Sequence, residues 1–255
     1  MRSLAATMRS AFAEAWSNRS GFWLQVSIMI VNDLVWVVFW VLFFREAGTV
    51  RGWDTQRVLL LQAILTTGGG IVLGFFNNAR RLGQLAADGA LDATLALPVP
   101  TLPHLLVRRV ETTNLGDLIF GVALFTIACD PSWSRTAIYV AGSLIAAIIL
   151  TGFLVAVGSL SFFFGRNEAG ELGFHAMIMF ASYPVDVFTG PGRAVLYSVI
   201  PAAFVASVPA RLADSFDLSL ALGMLGAAVA FATIGFAMFT LGLRRYTSGS
   251  AWTRA

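Results

Sequence analysis

The sequence contains no lysine: all 17 basic side chains among its 255 residues are arginine. A phosphate-binding loop of the GxxxxGK[ST] kind is therefore excluded, and so is a Schiff-base lysine. Any nucleotide chemistry the chain depends on has to sit in another subunit. The single cysteine, Cys129, excludes an internal disulfide and a cysteine-rich zinc site, and His104 and His175, far apart in sequence, are the only imidazoles. Charge is scarce as well, at 12% of residues, where soluble chains carry about 25%.

What is present is apolar bulk: 57% hydrophobic residues, 21 Phe and 7 Trp, and a mean hydropathy of +0.77. The apolar residues come in unbroken runs of about 20, which is the length of a membrane-crossing helix and not the two-residue alternation of a membrane β-barrel. A net charge of +3 could point to nucleic acid, but the arginines stand at the ends of the apolar runs, as membrane topology requires, and no nucleic-acid partner is expected.

Residues 1–20 read as an amphipathic helix lying along a membrane face, since Leu4, Met8, Ala11, Phe12, Ala15 and Trp16 recur at three- and four-residue spacing. The next run is too long for a cleaved signal and has no small-residue cleavage site after it, so it is expected to stay as an anchor. Six spans are expected, over 22–44, 58–76, 112–129, 137–164, 172–188 and 218–243. Gly68-Gly69-Gly70 should loosen or bend the second, and Asp130-Pro131-Ser132-Trp133 should turn tightly after the third. Residues 77–111 form a long polar segment, with a helix, a break at Gly89, a second helix and a stop at Pro98. Residues 190–216, punctuated by Pro191, Pro201 and Pro209, read as short interfacial or re-entrant helices. With the N-terminus inside, the inner segments hold 11 arginines and the outer ones 6, which favours cytoplasmic termini.

The fold class expected is thus an all-α polytopic membrane protein, a single transmembrane domain over 1–255. Its order of parts resembles the ABC type-2 exporter permeases. The wording agrees: Gly89-Ala90-Leu91-Asp92, Leu95, Leu97-Pro98 and Val99-Pro100 look like the family's "G-x-L-D-x-x-L-x-x-P" segment after the second span. Tyr183-Pro184-Val185-Asp186-Val187-Phe188 and Ile200-Pro201-Ala202-Ala203-Phe204-Val205 resemble a subfamily of such permeases. The resemblance implies a non-catalytic subunit of the bacterial cytoplasmic membrane. It would pair with a second permease, identical or related, and dock separate ATPase subunits that bind the ATP and Mg. The docking segment would then use Arg80, Arg81, Leu85, Asp88, Gly89, Leu91, Asp92 and Leu95, apolar anchors flanked by charge.

Within the spans, Asp33 costs on the order of 2.5–3.5 kcal/mol at mid-bilayer and should face protein or water. It either lines a translocation path with Asn32, Gln62 and Thr66, or pairs across the bundle, with Gln62, Thr66 and Thr67 as partners. Asp117 and His175 are expected near the inner interface, in contact with water. Tyr183, Pro184, Asp186, Pro201 and Phe204 are candidates for an outer gate, with Asp186 anchoring the chain near Arg193 or Arg211. Small residues such as Gly142, Ala146, Gly223 and Gly226 should let the fourth and sixth spans approach. A stand-alone secondary transporter or channel is the alternative, although no internal repeat supports it.

Overall fold

A computed structural model describes residues 2–165 and 168–246. Met1, Arg166, Asn167 and the tail from 247, with Arg254, lie outside the described residues, and so does that part of the arginine tally. Among the described residues there is no strand, only an isolated bridge between Val50 and Trp53.

The helices are α1 (Arg2–Ser17), α2 (Arg19–Ala47), α3 (Thr55–Phe75), α4 (Leu82–Ala87), α5 (Asp92–Leu95), α6 (Thr101–Val107) and α7 (Thr112–Ala128). After them come α8 (Trp133–Gly158), α9 (Ser161–Phe164), α10 (Ala169–Ala181), α11 (Gly190–Ser198), α12 (Val208–Asp214) and α13 (Leu218–Leu243). Asp54, Ser132 and Asp217 cap the N-termini of α3, α8 and α13 by accepting backbone N–H groups that the helix leaves open.

Burial sets the order of the bundle. The most apolar window of α3 is 83% buried, while those of α2 and α13 are only 17% buried. A helix that is hydrophobic all round and enclosed is a centre post, and α3 holds that place. By contrast α2 touches the bundle along a single seam of Phe22, Val26, Asp33, Trp40 and Phe44. Its outward residues, among them Val31, Val35 and Phe39, are exposed, which in a bilayer means exposed to lipid or a second chain.

Four helical stretches are long and apolar enough to cross a membrane: α2, α3, Trp133–Phe164 and α13. Six result if two bent pairs each count as one span: α6 with α7 at 82°, and α11 with Ala203–Asp214 at 71°. The run expected to cross over 172–188 is shorter in the structure. Helix α10 has 13 residues, about 20 Å of rise against a hydrocarbon core of about 30 Å. Pro184 accounts for the stop, because it disfavours helical geometry at the residue before it.

The three glycines of α3 do not break it. Helix α3 runs unbroken through Gly68-Gly69-Gly70, and a Cβ on Gly70 would collide with the backbone of Leu118 in α7, while one on Gly68 would lie 3.2 Å from the Ser143 carbonyl in α8. These glycines let neighbouring backbones approach closely. The approach of α8 to α13 likewise rests on a pair that the sequence reading passed over: a Cβ on Gly152 would lie 2.5 Å from the Phe231 carbonyl, and one on Gly235 2.5 Å from the Gly152 carbonyl. Gly142 packs on Pro209 instead, and Gly226 faces open space.

Gly152→Val should therefore cost about 1–3 kcal/mol through overpacking, read as a lower thermal unfolding midpoint in detergent. Gly226→Val, whose Cβ would meet no atom of another helix within 4 Å, should leave that midpoint unchanged; equal losses for both would contradict the packing.

Candidate functional site

Two polar layers close the bundle at opposite ends. The proximal layer carries α1, residues 77–111, the α8–α10 connection and the end of α13. Here Asn78 donates to the Leu105 carbonyl (2.7 Å), Arg80 pairs with Glu171 (3.2 Å) and covers the ring of Phe174, and the Tyr246 hydroxyl donates to Asp92 (2.8 Å). Both ends of the described chain thus meet the 77–111 segment on one face.

Within that segment α4 and α5 form a tight helical hairpin, turned at Gly89 with φ +72°, a backbone conformation that favours glycine. Its inner side is Leu82, Ala86, Leu91 and Thr94, all buried. Gly83 lies against the end of α8: a Cβ there would be 3.4 Å from the Gly158 carbonyl and from the Ser161 Cβ. Leu91, expected as an outward anchor, is fully buried and holds the hairpin to its own protein. The hairpin's exposed apolar residues are Leu95, Ala96, Leu97 and Pro98, and Asp88 before its turn is exposed too. Arg81, Leu85 and Gly89 are half-buried at its side.

In the bundle, Gln62 and Thr66 of the expected grouping bond elsewhere than to Asn32 and Asp33. Gln62 donates to the Ser182 carbonyl (3.0 Å), and Thr66 donates to the Gln62 carbonyl of its own helix (2.8 Å). Asp33 faces Asp117 across the α2–α7 seam, and among the described residues Asp33 Oδ2 and Asp117 Oδ1 are buried without a hydrogen-bond partner. Asp117 is buried, not in water as expected; Asn114 donates to it (3.2 Å). Asn32 stays exposed on the outward face of α2. The α2–α7 contact is close because Gly116 lies on the backbone of Val26, where a Cβ would come within 2.8 Å of the carbonyl. His175 is exposed, with Nδ1 at 2.8 Å from the Glu171 carbonyl.

The distal layer is tied by two carboxylates. Asp214 receives Arg57 (2.6 Å) and Arg135 (2.9 Å). Asp186 receives the Trp53 indole N–H (2.8 Å), Arg193 (3.1 Å) and Arg211, while Arg51 donates to its carbonyl (2.6 Å). Asp186 thus anchors the chain to both arginines named from the sequence. Trp53, Arg57, Arg135 and Asp214 were missed, since pairs so distant in sequence leave no local signal. The other gate candidates divide: Tyr183, beside Pro184, packs on Trp36 and Trp40 of α2, whereas Phe204, beyond Pro201, packs edge-on to Tyr197 and lies beside Gly223 of α13. A buried π-helical turn, Ala203–Ser207, joins the two regions, with the Ser207 hydroxyl accepting from the Val185 N–H (3.0 Å). Residues 202–212 therefore enter the bundle, and only α11 lies at its surface. Among the described residues, no three His, Cys, Asp or Glu side chains could jointly hold a metal ion.

The family model described as ABC-2 family transporter protein matches residues 30–250. The chain belongs to the ABC-2 transporter family. No curated protein and no solved structure matches it. As an ABC-2 permease it is a multi-pass membrane component of transport and not itself catalytic. The match begins inside α2, so α1 lies outside it.

In this ABC-2 permease, burial would push the Asp186 carboxyl up. The hydrogen bonds from Trp53 and Arg211, and the charges of Arg211 and Arg193, outweigh it and hold Asp186 below the usual carboxylate range. The folded state then binds fewer protons than the unfolded one. The stabilisation is complete above the ordinary Asp value of about 3.9 and is lost as pH falls through the lowered value. Thermal midpoints should drop on acidification below about pH 4, and Asp186→Asn should be less stable at pH 7 with a flatter acid limb. Separately, Asp117→Leu removes the acceptor of the part-buried Asn114 amide at the α2–α7 seam and should cost about 1–3 kcal/mol. Asp117→Asn keeps a hydrogen-bonding group there and should cost less, and the two midpoints compared in detergent check it.

Proposed function

We propose that this chain is the membrane half of an ATP-driven exporter, working as a pair of permeases with separate ATPase subunits that supply ATP and Mg. The observation that carries the reading is the α4–α5 hairpin. It exposes both an apolar ledge, Leu95 to Pro98, and the charge of Asp88, while its other side is fixed to the ends of α8 and α10 through Gly83 and through Arg80 with Glu171. An apolar helix edge flanked by charge suits a groove in a partner. The firm seat behind it suits passing a partner's movement to the spans.

The same reading makes the proximal layer cytoplasmic, with both termini inside the bacterial inner membrane, because the arginine excess lies on that side. Six crossings fit it if α2, α3, α7, α8 and α13 are joined by the stretch that runs from Glu171 in the proximal layer to Asp186 in the distal one, because Arg193 of α11 and Arg211 of α12 meet at that same distal Asp186. Pairing through α2 is supported by Asn32, an exposed amide among exposed Val31, Val35 and Trp36. A polar group at that depth is better placed against protein than lipid. The translocation path then lies along the outward face of α2, beside Asn32, and the region from Tyr183 to Phe204 closes its distal end.

The docking role now falls on the outward residues. Leu95→Glu with Leu97→Glu should leave the chain folded, since both side chains are exposed, and should lower co-purification of the ATPase at least tenfold. Leu91→Ala acts differently, costing about 2–5 kcal/mol of stability as a core truncation. Undiminished ATPase capture by the Leu95/Leu97 double variant contradicts the reading.

A further inference from the structure

A cavity of about 830 Å³ opens in the proximal layer between α1, the start of α2, the α4–α5 hairpin and the chain from Leu105 to Thr112. That is the size of a small-molecule site. Its charged lining is three arginines, Arg81, Arg108 and Arg109, with two carboxylates, Glu14 and Glu111. Arg109 pairs with Glu111 at 3.4 Å. Arg81, Arg108 and Glu14 enter no ion pair among the described residues. The remainder of the wall is largely apolar, with Phe22, Leu85 and Leu105 among it.

The level of the cavity is marked independently. At the α1–α2 junction Phe12, Trp16, Phe22 and Trp23 form one aromatic cluster, with Arg19 over the Trp16 ring at 5.6 Å. Phe12 and Trp23 are exposed. Exposed aromatic rings beside arginine are the signature of the membrane–water boundary. Phe22 belongs to both the cluster and the cavity wall, so the cavity opens at headgroup depth. Basic pockets on that level take lipid headgroups.

We propose that this cavity binds the headgroup of one membrane phospholipid bearing a primary ammonium beside its phosphodiester. The two unpaired guanidiniums, Arg81 and Arg108, take the single negative charge of the phosphate by charge-assisted hydrogen bonds. The carboxylate of Glu14 takes the ammonium, and the apolar wall receives the glyceride end. A headgroup with no cation would leave Glu14 facing only phosphate, which is why the ammonium-bearing class fits. The bound lipid would then join α1 to the back of the α4–α5 hairpin. The proposal rests on the chain's place in the membrane and not on ATPase docking, which uses Leu95 to Pro98, none of which lines the cavity.

The test uses the full chain in nanodiscs containing ethanolamine, choline and glycerol phospholipids in equal parts, with retained lipid counted by native mass spectrometry after mild delipidation. One ethanolamine lipid should persist per chain, at about tenfold excess over the choline lipid. Arg81→Gln with Arg108→Gln should abolish that excess without lowering the thermal midpoint, since neither residue loses an ion pair. Glu14→Gln should shift retention towards the glycerol lipid. Unchanged retention in the double variant overturns the proposal, as does equal retention of the three lipids by the wild type. Displacement of the lipid by millimolar soluble phosphoethanolamine would show a site for a free phosphate ester and also overturn it. No step requires an ATPase, so failure here is distinct from failure of the docking reading.

Discussion

Backbone meeting backbone at glycine is the constraint on which the rest of this molecule depends. In lipid there is little hydrophobic drive to press one apolar helix on another, so association rests on van der Waals contact at short range. Gly70 on Leu118, Gly116 on Val26, and Gly152 with Gly235 supply that contact between α3, α7, α2, α8 and α13. These positions put the centre post, α3, among its neighbours and leave the two outer posts, α2 and α13, presenting most of their surface outward. The same device continues beyond the bundle at Gly83 and Gly158, where the α4–α5 hairpin sits on the end of α8.

The two ends of the bundle are built for different tasks. The distal end is held by Asp186 and Asp214, each receiving two arginine side chains from separate elements, with Trp53 closing the cluster. Removing one member of such a partly buried network leaves the others unpaired, which makes the layer resist piecemeal loosening. The proximal end is different. Among the described residues it holds two ion pairs, Arg80 with Glu171 and Arg109 with Glu111, and it has an exposed apolar ledge and a mixed cavity. A fixed distal cap and an accessible proximal surface suit a conduit worked from one side.

Much of this was legible in the sequence. Runs such as 22–44 and 218–243 could be nothing but membrane-length helices, and Gly89 and Pro98 mark the hairpin's turn and end because their backbone preferences are local. Asp186 could be matched with Arg193 and Arg211 because all three lie within one short stretch. What depends on long-range packing was not legible. Leu91 looks like an anchor in the sequence, but whether a leucine on a short helix faces a partner or its own core depends on where α8 and α13 stand. Asp117 sits near the start of an apolar run and reads as an interfacial residue; only the close approach of α2 at Gly116 encloses it beside Asp33. The triple glycine of α3 reads as a weak point, and became a contact surface because two helices press on it.

The central claim is that the hairpin and the end of α8 move as one body, so that force applied at the ledge reaches the spans without slippage. It can be tested by joining them. Because a Cβ at Gly83 would lie 3.4 Å from that of Ser161, close to the separation in a disulfide, Gly83→Cys with Ser161→Cys should oxidise readily. In a complex reconstituted with the proposed ATPase, the oxidised variant should hydrolyse ATP and transport at the rate of its reduced form. A rate that collapses on oxidation and returns on reduction would mean that the hairpin must slide over α8 during each cycle, and would contradict it.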